Sequence, residues 1–259
     1  MLVDLHNHTT LCNHAEGTID EYVEAAIKKG IKYFGFSDHA PMDFDPSYRM
    51  SFEEMPIYEK WVSEAKTKYQ DKIEILLGYE VDYLKNHMDE RVLNADVDFL
   101  IGSVHFIDGW GFDNPEFIGR YHTEDIDKIW QEYFDAVEEM AKFGKFDIIG
   151  HLDLIKVFKF MPKRDILSIA SNALKAIKKS GAVLEVNMSG LRKPIKQAYP
   201  SNELLGEAYA LDIPITFGSD AHTPAQVGLF DESIVELARQ IGYKKCAVFK
   251  NRDRSFIEF

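Results

Sequence analysis

Short apolar runs alternate with longer amphipathic stretches along the 259 residues of the chain, and this alternation constrains the fold more than any other feature. Strands are predicted over 2–6, 31–37, 73–80, 99–104, 146–150, 182–187 and 213–218, with a short one over 246–249. Helices are predicted over 19–29, 56–70, 124–143, 162–180, 204–211 and 233–241. Continuously apolar strands that alternate with helices predict a parallel sheet covered by helices. Seven or eight such units favour a closed or distorted α/β barrel over a doubly wound sheet.

The length of the chain fits one large domain, because α/β barrels routinely run to roughly 250 residues. We find no linker, internal repeat or low-complexity segment, so a single domain over residues 1–259 is expected. The two cysteines, Cys12 and Cys246, lack C-x-x-C spacing, and we interpret them as reduced thiols of a cytoplasmic protein. No apolar run approaches roughly 18 residues and no basic leader is present, so neither secretion nor membrane association is expected.

The net charge of the chain restricts its partners. The formal charge is −13 at pH 7, and the sequence pI is about 5.1. Proteins that bind a nucleic acid backbone usually carry a basic face, so a long polynucleotide is not the expected partner. A small phosphorylated substrate is compatible with this charge, because bound cations can make one pocket positive within an acidic protein. The oligomeric state does not follow from the sequence.

Imidazole and carboxylate side chains recur at the ends of the predicted strands. The candidate metal ligands are His6, His8, His14, His39, Glu80, His105, His151, Asp220 and His222. Neutral imidazole and carboxylate are the ligands that borderline divalent cations bind. The carboxyl ends of parallel strands open on one face of a barrel, so donors far apart in sequence should converge there. Nine donors exceed the needs of one ion, and the pattern predicts a multinuclear metallohydrolase.

Two pairs of donors have the spacing of chelating residues. His6 and His8 are two residues apart on an extended strand, so their side chains point to the same face. Asp220 and His222 have the same spacing after the seventh strand. Asp4 shares the face of His6 and is a candidate supporting residue. A single His-x-His pair is weak evidence for a metal, and the prediction depends on the repetition at successive strand ends.

The motifs together resemble those of the polymerase and histidinol phosphatase (PHP) superfamily, from residue 4 to about residue 230. The metal motifs are His6-Asn7-His8, Ser37-Asp38-His39, Gly78-Tyr79-Glu80, Gly102-Ser103-Val104-His105, Gly150-His151-Leu152-Asp153 and Gly218-Ser219-Asp220-Ala221-His222. Within the superfamily the chain is most similar to the monofunctional histidinol-phosphatases. This closer similarity is carried by Ser37-Asp38-His39-Ala40-Pro41, by 150–156 and by 185–192.

The resemblance implies a distorted, TIM-like (β/α)7 barrel and three divalent metal ions. It assigns the first ion to His6, His8, Glu80 and Asp220, the second to Glu80, His105 and His151, and the third to His14, His39 and His222. Glu80 would thus bridge two ions. Zn, Mn and Fe all accept such ligands, and the affinity order alone does not decide which metal is bound.

Candidate substrate-binding residues follow the strands on the same side. Arg192 is the best phosphate-binding residue, because a guanidinium can bind two phosphate oxygens at once. Lys193 and Lys156 are weaker candidates. Trp110, in a glycine-rich stretch after His105, is a candidate to stack on an imidazole ring of the substrate.

Two carboxylates are candidate catalytic residues. Asp38 and Asp153 each adjoin or lie near a ligand histidine, which they could orient, or they could protonate the leaving oxygen. The orienting role is the preferred interpretation. The irregular stretches 40–55 and 106–120 each follow a strand that carries donors and are candidate substrate loops.

The function expected from the resemblance is hydrolysis of L-histidinol phosphate to L-histidinol and phosphate, a step of histidine biosynthesis. The metal motifs alone indicate only phosphoester hydrolysis. The alternatives are another PHP-type phosphoesterase, acting on nucleotides, DNA ends or phosphotyrosine, and a catalytically inactive metal-binding module. The complete ligand set disfavours the inactive module, since structural zinc sites are usually closed sites of four ligands.

Overall fold

Seven parallel strands form the central sheet of the computed structural model, which describes residues 1–259. The strands in chain order are β1 (Val3–Asp4), β2 (Tyr33–His39), β3 (Glu74–Asp82), β4 (Phe99–Ser103), β5 (Phe106–Ile107), β6 (Trp110–Gly111), β7 (Ile148–Ile149), β8 (Val183–Asn187), β9 (Ile215–Gly218), β10 (Lys245–Lys250) and β11 (Asp253–Glu258). The central sheet has the order β1-β2-β3-β4-β7-β8-β9, and each neighbouring pair is parallel.

Helices connect these strands and cover the sheet. They are α1 (Ile19–Lys28), α2 (Met55–Tyr69), α3 (Glu90–Leu93), α4 (Arg120–Thr123), α5 (Ile126–Phe143), α6 (Ile166–Ser180), α7 (Asn202–Ala210) and α8 (Asp231–Ile241). The core between sheet and helices is a continuous apolar cluster, which includes fully buried Trp130 and Phe99. None of the helices combines the length and apolar character needed to cross a membrane.

The first and last strands of the sheet meet, so the sheet curves into a distorted barrel. The Leu5 amide donates to the Phe217 carbonyl at 2.9 Å. A parallel bridge joins Asn7 to Ala221 just beyond the ends of β1 and β9. The predicted α/β barrel is therefore confirmed. All seven carboxyl ends open on the same face because every strand of the sheet is parallel to its neighbours.

Local hydrogen bonds set element boundaries that differ from the sequence prediction. The helix predicted from residue 162 begins only at Ile166, because the Asp165 carboxylate accepts the Ser168 amide at 2.8 Å and caps the helix there. Similarly, Ser201 caps α7, which begins at Asn202, two residues before the predicted start.

A carboxyl-terminal hairpin is the main element that the sequence prediction lacked. The short strand predicted over 246–249 lies within β10, which pairs with β11 in antiparallel fashion. The Asn251 amide donates to Asp98, the residue that precedes β4, at 3.1 Å. The hairpin therefore lies at the amino-terminal end of the barrel, on the side away from the candidate ligands.

The two irregular stretches proposed as substrate loops contact each other. The ring of Phe44 packs edge-on against Phe106 with centroids 5.0 Å apart, and it also packs against His87. The His87 Nδ1 atom lies 2.7 Å from a carboxylate oxygen of Asp43. The loop after β2 and the β5–β6 hairpin therefore meet beside the carboxyl-terminal face.

Candidate metal centre

All nine candidate ligands come together at the carboxyl-terminal face of the barrel. Four groups each place their donor atoms within 4.8 Å of one another. Three consist of predicted ligands: His6, His8 and Glu80; Glu80, His105 and His151; and His14, His39 and His222. The fourth joins Cys12 to His8 and His222. The ninth donor, Asp220, has Oδ1 at 3.2 Å from Nε2 of His8. The chain thus places in one site donors that the sequence distributes over more than 200 positions.

The Glu80 carboxylate lies at the centre of this cluster. Its Oε2 atom is 3.2 Å from Nε2 of His6 and 3.1 Å from Nδ1 of His39. Its Oε1 atom is 2.8 Å from Nε2 of His151 and 3.8 Å from Nε2 of His105. The two oxygens therefore face different imidazole groups, which is the arrangement that a bridging ligand requires.

Outer carboxylates hold three of the imidazole rings by Nδ1. Glu185 Oε1 lies 2.6 Å from Nδ1 of His6. Asp38 Oδ1 lies 3.4 Å from Nδ1 of His8, and Asp82 is hydrogen bonded to Nδ1 of His105.

Backbone carbonyls hold two further rings in the same manner. The Cys12 carbonyl is 2.8 Å from Nδ1 of His14, and the Asp220 carbonyl is 3.2 Å from Nδ1 of His222. An acceptor at Nδ1 fixes the tautomer that carries its proton there, so Nε2 presents a lone pair to the cluster.

Buried nitrogens without hydrogen-bond partners test whether the cluster suits a cation. Nε2 of His6, Nε2 of His8 and Nδ1 of His39 are all buried and unpartnered. Buried polar atoms in proteins are normally satisfied, and each exception needs an explanation. Unpartnered imidazole nitrogens grouped with carboxylates are the donor set of a borderline divalent cation, so the residues fit such an ion.

The charges of the cluster perturb its pKa values strongly. Burial alone would lower the pKa of His6, but the carboxylates of Glu185 and Glu80 outweigh it and raise that pKa well above its ordinary value. Burial would raise the pKa of Glu80, but the imidazoles of His6 and His39 hold it well below its ordinary value. Without a cation, the imidazole of His6 would therefore hold its proton beside ionised carboxylates. A metal ion would compete with that proton for the imidazole nitrogen.

Asp38 is placed to orient a ligand. It is fully buried, accepts the Thr9 amide at 3.1 Å and the Thr9 hydroxyl, and contacts Nδ1 of His8. These contacts favour the orienting role over proton donation to a leaving group.

Asp153 and Lys156 form a buried ion pair. The Lys156 ammonium donates to Asp153 and to the Ala198 carbonyl, both at 2.8 Å, and the side chain is completely buried. Asp153 also accepts the Ser201 amide at 2.9 Å. This pair braces the loop after β8, and a contact of either residue with substrate stays a prediction.

Arg192 lies against the loop that carries Asp220. Its Nη2 atom donates to the Ser219 carbonyl at 2.9 Å and to the Asp220 carbonyl at 2.7 Å. Its Nη1 atom is buried and has no partner. One edge of the guanidinium is thus anchored while the other edge is free to bind an anion. Lys193, the next residue, is exposed.

Trp110 is packed within the loop after β4. Its Nε1 atom donates to the Phe117 carbonyl at 3.1 Å, and the Arg120 guanidinium lies 4.6 Å from the ring centroid. Tyr121 packs edge-on against the same indole. Stacking of Trp110 on a substrate ring stays a prediction, and Arg120 already covers one face of the indole.

Sequence reasoning missed Glu185 and Asp82, although both carried a signal. Glu185 lies in the middle of β8 and Asp82 is the buried last residue of β3, and an ionised side chain in a buried position is costly unless it is paired. Glu185 also requires Gly218, because a Cβ atom at that position would collide with the Glu185 carboxylate and would lie 2.6 Å from Cβ of His6. Asp4, by contrast, contacts no imidazole, and its Oδ2 atom binds the Ser219 hydroxyl at 2.5 Å.

Comparison with known proteins agrees with this geometry. The PHP domain family model matches residues 4–189, which is most of the chain. The chain belongs to the PHP domain family. The matched region of the PHP domain ends before Asp220 and His222, which the fold returns to the same site through β9.

Two curated relatives cover this PHP domain protein almost completely. A Deinococcus radiodurans protein named "Probable histidinol-phosphatase" is 37% identical over 256 residues, with 97% of each chain covered. The histidinol-phosphatase of Bacillus subtilis is 31% identical, with 90% of this chain and 98% of the relative covered.

A solved structure shares the fold of the whole chain. It is the histidinol phosphate phosphatase of Lactococcus lactis, described as complexed with zinc, L-histidinol and phosphate. It superposes with a TM-score of 0.79 at 22% identity, and 98% of each chain is covered. At this identity the likeness shows the shared barrel.

Proposed function

We propose that this protein is a metal-dependent phosphomonoesterase that hydrolyses L-histidinol phosphate to L-histidinol and phosphate, in histidine biosynthesis. The observation that carries the proposal is the likeness to the histidinol-phosphatase of Bacillus subtilis at 31% identity over 98% of that enzyme. The alignment therefore extends over the barrel and its carboxyl-terminal face rather than one motif.

The nine clustered donors would hold the metal ions. We assign His6, His8, Glu80 and Asp220 to a first ion, Glu80, His105 and His151 to a second, and His14, His39 and His222 to a third. Bound divalent cations would lower the pKa of water towards neutrality and offset charge on the phosphoryl oxygens. Zn, Mn and Fe all suit this donor set.

The remaining residues would position the substrate and the ligands. Arg192 would bind phosphate through its free Nη1 edge, while its Nη2 atom keeps the guanidinium fixed against the Asp220 loop. Asp38 and Glu185 would keep the imidazoles of His8 and His6 in the ligating tautomer. Lys193, exposed beside Arg192, would add positive charge at the mouth.

The net charge of the chain favours a small substrate over a polynucleotide. With a formal charge of −13, the chain lacks the overall basic character that binding along a polynucleotide needs. We further propose that residues 1–259 act as one domain in the cytoplasm, where the buried thiols of Cys12 and Cys246 would stay reduced.

A substrate panel tests the proposed function. Protein loaded separately with Zn, Mn or Fe is assayed for phosphate release from histidinol phosphate, nucleoside monophosphates, phosphotyrosine and a phosphodiester. We expect the value of kcat/KM for histidinol phosphate to exceed the others by at least two orders of magnitude. Comparable rates on several monoesters or on the diester would indicate another PHP-type phosphoesterase. Inactivity of the metal-loaded protein on every compound would contradict the assignment as an enzyme.

A further inference from the structure

The connection between β8 and α7 holds two buried side-chain donors that have no partner. They are Nη1 of Arg192 and the hydroxyl of Tyr199. Buried donors are almost always satisfied in folded proteins, and leaving one unmade costs stability. Two such donors in one connection, beside a candidate metal centre, indicate that a ligand supplies their acceptors.

The backbone of Tyr199 is fixed at the end of β8. Its amide donates to the Asn187 carbonyl at 3.0 Å, and its carbonyl accepts the Asn187 amide at 2.7 Å. Asn187 in turn donates through Nδ2 to Asp220 at 3.3 Å and to Glu185 at 3.0 Å. Tyr199 is therefore tied directly to a strand end that contacts a proposed ligand.

Close packing fixes the ring of Tyr199 as well. A Cβ atom at Gly190 would lie 2.9 Å from Cε2 and 3.0 Å from Cζ of Tyr199, so only glycine leaves room for the ring. The ring meets the imidazole of His151 edge-on, with centroids 6.3 Å apart. The Lys156 ammonium lies 5.2 Å from the ring centroid. The ring of Tyr199 is therefore held beside a proposed metal ligand, and its hydroxyl is buried away from solvent.

Arg192 and Tyr199 flank the site from the same connection. Arg192 is anchored on the carbonyl groups of Ser219 and Asp220, and Tyr199 packs against His151. At neutral pH a tyrosine hydroxyl keeps its proton, because its ordinary pKa is about 10. Both free groups are thus donors, and a phosphoryl group offers only acceptor oxygens.

We propose that the Tyr199 hydroxyl donates a hydrogen bond to a phosphoryl oxygen beside the free Nη1 edge of Arg192, and so is a further substrate-binding residue. The identity of the full substrate rests on the proposed function, but the contact itself concerns the phosphate. Inorganic phosphate therefore tests it directly, whichever ester the enzyme hydrolyses.

A structural role for the hydroxyl makes a different prediction. Asp153 Oδ1 is a buried acceptor without a partner, and Asp153 lies in the network of Lys156, which also contacts the Tyr199 ring. If Tyr199 served only Asp153, its hydroxyl would contribute to the stability of the loop and not to the affinity for phosphate.

The experiment compares Tyr199→Phe with Tyr243→Phe in metal-loaded protein. Tyr243 is also a buried tyrosine, but its hydroxyl already donates to the Ile213 carbonyl at 3.0 Å. It therefore has a partner within the protein and needs none from a ligand. Calorimetric titration with inorganic phosphate gives Kd, and elemental analysis gives the metal content. For Tyr199→Phe we expect the phosphate Kd to rise about tenfold with unchanged metal content, because hydrogen bonds to charged groups are the stronger ones. Tyr243→Phe should keep the wild-type Kd.

An unchanged phosphate Kd in Tyr199→Phe with its metals bound would overturn the proposal. A second measurement does not depend on that variant folding: 3-fluorotyrosine is placed at position 199 of the otherwise wild-type protein, and its ¹⁹F resonance is followed. Phosphate should shift this resonance, whereas chloride at equal ionic strength should not. The absence of a phosphate-dependent shift would equally overturn the contact. Inactivity on histidinol phosphate with an intact phosphate effect would refute only the proposed substrate.

Discussion

The Glu185 carboxylate contacts two ligands of the candidate metal centre at once. Its Oε1 atom lies 2.6 Å from Nδ1 of His6, and its Oε2 atom accepts the backbone amide of His151 at 2.8 Å. One buried acid therefore couples the end of β1 to the end of β7. A ring held in this way keeps its tautomer and orientation without the metal.

Glu185→Gln should weaken metal binding and lower activity, each by roughly 10- to 100-fold, because an amide is a poorer acceptor for Nδ1 of His6. Metal content after dialysis against a weak chelator and kcat are the measurements. Glu203→Gln, an exposed change in α7, is the matched control. Wild-type occupancy together with wild-type kcat would show that Glu185 does not support the ligand.

Glu80→Gln should remove metal from both groups that share this residue. Each carboxylate oxygen of Glu80 faces a different set of imidazoles, so the one negative charge would serve two cations. A neutral amide cannot offset the charge of either cation. We expect the loss of about two equivalents of metal and of nearly all activity, measured by elemental analysis and phosphate release. Loss of a single equivalent would contradict the bridging role.

Arg192→Ala should raise KM for a phosphate monoester by one to two orders of magnitude, because a charged hydrogen bond to phosphate is lost. Steady-state kinetics measure the effect, and the metal content should stay constant. Arg164→Ala, which removes an exposed arginine before α6, is the control. An unchanged KM would remove Arg192 from the phosphate site.

Gly218→Ala should disrupt the centre through steric overlap alone. The new methyl group would collide with the Glu185 carboxylate and press on Cβ of His6, so both must shift. We expect a lower melting temperature and reduced metal affinity, measured by calorimetry with and without metal. Gly206→Ala in α7 is the matched control, because a Cβ atom there meets nothing within 4 Å and should stabilise the helix slightly.

Sequence patterning was sufficient for the barrel and for the convergence of the donors. Each strand of the central sheet overlaps a predicted one, and parallel pairing brings every strand end to the same face. The His-x-His spacing of His6 and His8 could be interpreted locally, since residues two apart on an extended chain share a face. Which atoms would bind which ion, however, depends on distances across the barrel that no local pattern contains.

The supporting residues depend on tertiary neighbours, so the sequence did not single them out. The partner of Glu185 is 179 positions away in His6. The unpartnered hydroxyl of Tyr199 becomes evident only once the packing of Gly190 and Asn187 around it is known. The predicted start of α6 at residue 162 failed for a local reason instead, because the Asp165 carboxylate caps the helix and sets its beginning at Ile166.

The hydrogen bonds between Asp4 and Ser219 join positions that are 215 residues apart. His6 and His8 are synthesised before Asp220 and His222, from which more than 200 positions separate them. A nascent chain in which β9 and the residues after it have not been synthesised therefore lacks Asp220 of the first ligand set and His222 of the third. Complete binding of an ion by the first or the third ligand set would therefore wait until synthesis has passed residue 222, whereas the second set, Glu80, His105 and His151, would be complete earlier.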